Sequence, residues 1–186
     1  IVTNMSLENK ITVIIVTFKS QHIIERCLDN LDSKFNIILI ENSNDVNFTN
    51  NLEKKYKNLK CYNTGYDAGF GPALNVGIEK VQTEYIISMN PDSFPEQGCF
   101  EKLIKTAEEY NEVGMVVPIT YTKSNSKETK QYGYFEKNSH FVKDNKNNLL
   151  VDWVNGNVFL VKKNLINEIG MFDKNIFSEF EEIDFQ

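Results

Sequence analysis

Short apolar runs recur along the first two-thirds of the chain, and segments with helical spacing separate them. The runs predict five strands, over residues 11–18, 36–40, 59–62, 84–89 and 114–121. The segments between them predict helices over residues 21–31, 48–56, 72–81 and 95–107. Because strands alternate with helices, we expect an α/β fold with a mostly parallel, doubly wound central sheet flanked by helices.

The last third of the chain has a different pattern. Residues 123–148 are polar and rich in Lys and Asn, which predicts a small antiparallel hairpin or loop excursion from the sheet. A strand is predicted over residues 149–161, with Gly156 inside it. A short helix is predicted over residues 162–169, with Gly170 as the residue that ends it.

No feature of the sequence divides the chain into separate domains. The sequence has no internal repeat and no linker, so we expect a single domain over residues 1–186. It begins at Ile1 without Met and stops at Gln186 within an acidic–apolar pattern, which predicts a domain truncated at its C-terminus.

Composition and charge narrow the class of protein. The 186 residues are 41% apolar and 12% aromatic, which is typical of a globular domain and excludes a disordered chain. Twenty Lys and Arg against 26 Asp and Glu give a net charge of −6, without a basic cluster, so no nucleic-acid partner is expected. An anionic substrate would need a metal ion or backbone amides to balance its charge.

Membrane and redox signals do not suggest an extracellular or spanning protein. The longest apolar runs, at residues 13–16 and 37–40, are far shorter than a bilayer span, and no signal-peptide pattern is visible. Cys27, Cys61 and Cys99 have no metal or redox spacing, so we expect three reduced, buried or half-buried thiols. This predicts a cytoplasmic protein, with association at the inner face of a membrane left open.

Polar, loop-forming residues follow each of the first four predicted strands. Thr17 and Phe18 end the first, Glu41 ends the second, a glycine-containing loop over 63–72 follows the third, and residues 90–93 follow the fourth. Ligands bind at the carboxyl ends of the strands in open α/β sheets, so these segments predict a nucleotide site. The glycine loop does not fit G-x-G-x-x-G and follows the third strand, which excludes dinucleotide and Walker-type sites.

Five segments carry the candidate chemistry, in the order 13–18, 67–77, 86–92, 152–156 and 172–184. Together they resemble glycosyltransferases of family 2 with the GT-A fold, in the bacterial rhamnosyltransferase-like branch. The resemblance implies an inverting hexosyltransferase of polysaccharide biosynthesis with a UDP- or dTDP-sugar donor. It also implies Mg²⁺ or Mn²⁺ as cofactor and a hydroxyl of a polysaccharide or lipid-linked glycan as acceptor.

On the donor side, the resemblance implies direct contacts with the nucleotide sugar. It puts Thr17 and Phe18 under the nucleoside, and Glu41 at the base or ribose. It puts Gly69 and Asn75 on the diphosphate side. Three further residues are implied to lie under the transferred sugar: Trp153, Asn155 and Gly156.

At the reacting end, the resemblance implies a metal ligand and a general base. Asp92, two residues after Asn90, stands at the last position of the metal-binding D-x-D motif. A cation there would stabilise the diphosphate as it leaves. Inversion needs one base for the acceptor hydroxyl, and the pair Glu181 and Glu182 supplies it; we favour Glu182.

Several positions have a second interpretation. Taken alone, Asn90 and Asp92 could form a turn that caps the next helix. Asp67 stands where the family commonly has Asn, and Asn63 is the other candidate for that position. The acidic pair could be a solvated helix start, because acids are favourable there, and Trp153 could be a core residue.

Two other functions remain to be compared with sugar transfer. A degenerate GT-A domain could bind a nucleotide or act as a scaffold without turnover, and the single carboxylate over residues 90–92 favours this alternative. A sugar nucleotidyltransferase would share the α/β layout, but it should show a glycine- and Arg-rich signature directly after the first strand. Residues 17–20 show none.

Overall fold

The central sheet has six strands. The computed structural model describes residues 6, 9–110, 112–124, 127–131, 142–143, 148–154, 156–177 and 181–185. Across the sheet the strands are, in order, β3 (Leu59–Asn63), β2 (Asn36–Glu41), β1 (Ile11–Thr17), β4 (Tyr85–Met89), β10 (Val158–Lys162) and β5 (Met115–Val116). The first four run parallel, and β10 is antiparallel to both β4 and β5. The predicted α/β class is confirmed, with a mixed sheet.

Helices cover both faces of this sheet. One face carries α1 (Ile24–Asn30), α2 (Val46–Lys55) and α4 (Cys99–Glu109). The other carries α3 (Phe70–Ile78), α5 (Lys163–Ile169) and α6 (Glu181–Phe185). Successive residues of β1 alternate between the two cores, because side chains in a strand point to opposite faces: Val13 and Ile15 pack into one, and Ile14 and Val16 into the other.

Strand register brings the carboxyl ends of the parallel strands level with one another. Thr17 pairs with Glu41, and Glu41 pairs with Asn63. On the other side of β1 from β2 and β3, Met89 at the end of β4 pairs with Val158 at the start of β10. The residues that precede β10 therefore lie at the same edge as the residues that follow β4.

Two predicted strands are each interrupted. In place of one strand over residues 114–121, the chain forms β5 and then β6 (Thr120–Ser124), since Pro118 between them has no N–H to continue a ladder. In place of one strand over 149–161, it forms β9 (Leu149–Leu150) and β10, because the turn-forming Gly156 and Asn157 separate them.

Outside the central sheet, β6 pairs with β7 (Lys127–Gln131) and β8 (Val142–Lys143) pairs with β9, both antiparallel. The hairpin of β6 and β7 falls at the start of the predicted excursion over residues 123–148. Within that excursion, residues 125–126, 132–141 and 144–147 lie outside the described residues.

Helix starts differ from the prediction by a few residues. The largest difference is at α4, which begins at Cys99 rather than at Pro95, because Gly98 adopts a φ of +78° that a helix cannot contain. The thiols of Cys27, Cys61 and Cys99 are all free, and all three are buried or half-buried, as predicted. In the described part of the chain, none of the helices has the length and apolar character needed to cross a bilayer.

Candidate active site

A buried hydrogen-bond cluster joins the ends of β1 and β2. The Glu41 side chain is 0% exposed. Its Oε2 accepts from the Thr17 hydroxyl at 2.9 Å, and its Oε1 accepts from the Ser43 backbone N–H at 2.6 Å and from the Ser43 hydroxyl. Glu41, predicted to touch the base or ribose, therefore lies beneath the surface of the site and supports its floor. Contact with a ligand would require this side chain to move.

The Thr17→Val substitution is expected to lower the free energy of unfolding by about 1.5–3 kcal/mol, because a buried carboxylate loses a hydrogen-bond donor. The matched control is Thr12→Val in the same strand, where the hydroxyl of buried Thr12 lies 2.7 Å from that of Thr83. Thr83 keeps a second acceptor, the Tyr85 carbonyl at 3.1 Å, so this loss should be only about 0.5–1.5 kcal/mol. Urea denaturation of both variants measures the difference. Equal losses would contradict the role given to Thr17.

Phe18 and Lys19 form the exposed surface above this cluster. The Phe18 side chain is 45% exposed, and the Lys19 ammonium lies 5.1 Å from the centre of its ring. Lys19 has a φ of +53°, which is uncommon for a residue with a side chain. An exposed ring at the end of β1 can stack on a planar base, and a nearby ammonium can attract an anion.

Asn42 connects the end of β2 to the glycine loop after β3. Its Nδ2 donates to Asp67 Oδ1 at 3.0 Å and to the Gly69 carbonyl at 3.2 Å, and its Oδ1 accepts from the Ala68 N–H at 3.0 Å. Asp67 Oδ1 also accepts from the Gly69 N–H at 3.2 Å. The loop is thus fixed by a buried amide, and Asp67 contributes to the loop's own geometry. Asn63 instead donates to the Thr49 hydroxyl at 3.3 Å, away from this network.

Gly69 is where a distant segment crosses the loop. Its φ is +85° and its ψ is 174°. A Cβ at this position would lie 2.0 Å from the Phe177 carbonyl oxygen, which accepts from the Phe70 N–H at 3.1 Å. The Phe70 N–H at the start of α3 is therefore used within the protein, next to Gly69, which the resemblance put on the diphosphate side.

Asn75 also contacts this segment. Its Nδ2 donates to the Phe172 carbonyl at 2.8 Å, and its Oδ1 accepts from the Phe172 N–H at 3.1 Å. Both polar groups of the side-chain amide are engaged in this way. Asn75 thus holds the backbone of Phe172.

The loop after β4 is tied to the start of β10. The Asn90 N–H donates to the Asn157 carbonyl at 2.9 Å, and Asn90 Nδ2 donates to Asn157 Oδ1 at 3.2 Å. This brings the segment of Trp153 and Gly156 to the same edge as Asp92. Trp153 is half-buried, whereas Asn155 lies outside the described residues.

Asp92 is an exposed carboxylate beside α1. Burial, and next the charge of Asp92, raise the pKa of the Cys27 thiol to about 12. This thiol therefore stays protonated at neutral pH and is a poor nucleophile. Ser93 and Phe94, which follow Asp92, are anchored on α1. Cys27 Sγ contacts the Ser93 carbonyl at 3.6 Å, and the Arg26 guanidinium lies 4.4 Å from the centre of the Phe94 ring.

The acidic pair belongs to α6, which packs on α3. The side chain of Glu181 is buried, and a Cβ at Gly71 would lie 3.6 Å from the Cβ of Glu181. The structure describes the backbone of Glu182 but not its side chain. The helix that carries both acids is therefore seated on the first turn of α3, directly after the glycine loop.

Metal ligands around Asp92 are few. In the described ranges, no group of three or more His, Cys, Asp and Glu side chains could hold a metal ion. Magnesium is often bound by one or two carboxylates together with substrate phosphates. Asp92 therefore fits a divalent cation that is shared with a diphosphate, and it does not fit one held by the protein alone.

Comparisons with known proteins decide the family. The sequence profile described as Glycosyl transferase family 2 matches residues 12–170, which is most of the chain. The chain belongs to glycosyl transferase family 2. Similarity to solved structures confirms the GT-A fold of this family 2 domain.

Three similar proteins illustrate the comparison. Glycosyltransferase GlyA of Streptococcus pneumoniae is 26% identical over 112 residues, which are 57% of this chain and 16% of GlyA. S. aureus TarS 1-349 in complex with UDP-GlcNAc has a TM-score of 0.65 at 17% identity, covering 88% of this chain and 48% of that chain. Mannosyltransferase PcManGT from Pyrobaculum calidifontis, in complex with GDP-Man and Mn²⁺, has a TM-score of 0.62 at 15% identity, covering 90% and 48%. The family 2 domain thus spans less than half the length of these relatives.

Several residues of the site were not predicted as site residues. Asn42 directly follows β2, at a strand end where the sequence predicted a nucleotide site, but no task was assigned to it there. Asn157 and Phe177 carry no such signal, because they act through contacts with residues 67 and 107 positions earlier in the chain, Asn90 and Phe70.

Proposed function

We propose that this family 2 domain is an inverting glycosyltransferase that moves a hexosyl group from a UDP- or dTDP-sugar to a hydroxyl of a polysaccharide or lipid-linked glycan. The names of the similar proteins support a nucleotide-sugar donor, since TarS was solved with UDP-GlcNAc and PcManGT with GDP-Man. A cytoplasmic site of action remains part of this proposal.

The observation that carries the proposal is the seating of α6 on α3. It brings an acidic helix from the end of the chain to the glycine loop that follows β3. Inverting transfer is a single displacement, in which the acceptor oxygen must lose its proton as it attacks the anomeric carbon. Such a reaction requires a general base and a donor site at one sheet edge. No enzyme nucleophile is needed for inversion.

In the proposed reaction, each group has one task. Phe18 stacks on the base, and the loop fixed by Asn42 holds the diphosphate end.

The carboxylate of Glu182 takes the proton of the acceptor hydroxyl, with Glu181 as the alternative base. Asp92 would hold a divalent cation, and the charge of that cation would stabilise the nucleoside diphosphate as it leaves. Trp153, Asn155 and Gly156 face the transferred sugar.

Nucleotide binding tests the donor site. Calorimetry with UDP, dTDP, GDP and CMP, each with and without Mn²⁺, is expected to show Mn²⁺-dependent binding of UDP or dTDP. In Asp92→Asn the affinity with Mn²⁺ should fall at least about tenfold, which is 1.4 kcal/mol, because the cation loses its protein carboxylate. The control is Asp32→Asn, an exposed carboxylate in the turn before β2 at the opposite edge of the sheet. Unchanged Mn²⁺-dependent binding in Asp92→Asn would refute the metal role of Asp92.

A second candidate function is a nucleotide-binding or scaffold domain without turnover. The single carboxylate at residues 90–92, and the scarcity of metal ligands in the described ranges, favour it. Binding of UDP that is independent of Mn²⁺, without UDP release from any UDP-sugar, is the result expected of such a domain. A folded sample that binds none of the four nucleotides would leave only the scaffold.

A further inference from the structure

The segment that leads into the acidic helix is held at two points by α3. At Phe172, both backbone polar groups bond to the side-chain amide of Asn75, at 2.8 and 3.1 Å. At Phe177, the carbonyl bonds to the Phe70 N–H at 3.1 Å and lies against the bare Cα of Gly69. Residues 172–177 are thereby fixed at both ends to the helix that follows the glycine loop.

Phe172 also packs on α6, so the segment held by α3 is in contact with the acidic helix. Its ring stacks on the ring of Phe185, with centroids 4.3 Å apart and planes 10° from parallel, and it also packs against Phe159 of β10 at 6.3 Å. Its Cβ lies 3.2 Å from the position of a Cβ on Gly71, beside Glu181. Gly71 and Asn75 are four residues apart and so share one face of α3.

We infer that Asn75 is a positioning residue: it seats Phe172, and through the stacked ring of Phe185 it fixes α6 and its acidic pair relative to the donor loop. This inference rests on the proposed function for the catalytic role of the pair. It departs from the expectation that Asn75 contacts the diphosphate, because both ends of the amide are directed to the backbone of Phe172. A half-buried side-chain amide that replaces two backbone partners is well suited to hold an irregular segment.

The first arm of the test measures the attachment itself. Hydrogen exchange of Asn75→Ala is expected to be faster than that of the wild type in peptides from residues 171–177 and 181–185, and unchanged in β1 to β4. The control is Asn58→Ala, which removes another side-chain amide bond to backbone, Asn58 Nδ2 to the Phe35 carbonyl at 2.9 Å, at the amino edge of the sheet. Unchanged exchange at 171–185 in Asn75→Ala would overturn the inference.

The second arm separates positioning from ligand contact. With UDP-GlcNAc and Mn²⁺, we expect kcat for UDP release to fall on the order of 10²-fold in Asn75→Ala, because a base displaced by about 1 Å loses that much. The KM for UDP-GlcNAc and the Kd of UDP should stay within about twofold, well below the tenfold that corresponds to 1.4 kcal/mol. A UDP affinity that falls tenfold or more with unchanged kcat would show a ligand contact instead.

Asn75→Asp provides a variant that keeps the acceptor for the Phe172 N–H and sets a carboxylate oxygen, in place of the donor, against the Phe172 carbonyl. We expect it to exchange at least as fast as Asn75→Ala and to have a kcat at least as low, with the same UDP affinity as Asn75→Ala. If Asn75 faced the diphosphate, the added negative charge would weaken UDP binding more than Ala does, and that result would overturn the inference. If the wild type binds neither UDP nor dTDP and releases neither from a nucleotide sugar, the proposed function fails, while the exchange comparison still decides whether Asn75 seats the segment.

Discussion

Replacing Glu182 by Gln is expected to reduce sugar transfer by roughly 10²–10⁴-fold, which is the usual contribution of a general base. Gln has nearly the same shape as Glu, but it cannot accept the proton of the acceptor hydroxyl. Nucleotide binding should be unchanged, because the donor is held by the loops after β1 to β4. Transfer is measured as UDP release in the presence of acceptor, and binding of UDP with Mn²⁺ is measured by calorimetry.

Glu181→Gln is the matched comparison for this prediction. Glu181 is a neighbouring acid on the same helix, and its side chain is buried against the first turn of α3. We expect Glu181→Gln to retain more transfer than Glu182→Gln. If Glu181→Gln is the inactive variant and Glu182→Gln remains active, the base is Glu181. If both variants transfer sugar as fast as the wild type, the acidic pair has no catalytic role.

The central elements of the fold could be predicted because they depend on local sequence. The buried run that forms β1 and the apolar spacing of α4 are visible within windows of about ten residues. The direction of β10 was not predicted, since antiparallel pairing with β4 depends on contacts between residues about 70 positions apart, such as Val158 and Met89. The break after β5 could have been predicted from Pro118, which cannot donate to a strand ladder.

The location of the site was easier to predict than the tasks of its residues. Thr17 and Asn90 follow from the rule that ligands bind where parallel strands end. Whether such a residue faces a ligand or a neighbouring side chain depends on its hydrogen-bond partners. Glu41 is enclosed by Thr17 and Ser43, and Asn75 is engaged by a residue 97 positions later. Partners that distant leave no trace in a single sequence.

Gly69→Ala is expected to reduce the free energy of unfolding by about 2–6 kcal/mol and to abolish most transfer. The backbone angles of Gly69, φ +85° and ψ 174°, cost a residue with a side chain about 1–3 kcal/mol. The new Cβ would also lie 2.0 Å from the Phe177 carbonyl oxygen, so the segment must shift and lose its bond to Phe70, which adds about 1–3 kcal/mol. Urea denaturation measures the loss of stability, and UDP release measures transfer.

Gly65→Ala separates backbone strain from the collision. Gly65 has nearly the same φ, +84°, but a Cβ there would meet no atom within 4 Å. It should therefore lose only the cost of a left-handed residue, about 1–2 kcal/mol, and keep its transfer activity. The excess loss in Gly69→Ala then measures how firmly residues 172–177 are pressed onto α3. If the two variants lose the same free energy of unfolding, residues 172–177 move aside for the new Cβ without a loss of stability. Such a segment would hold α6 too loosely to position a base.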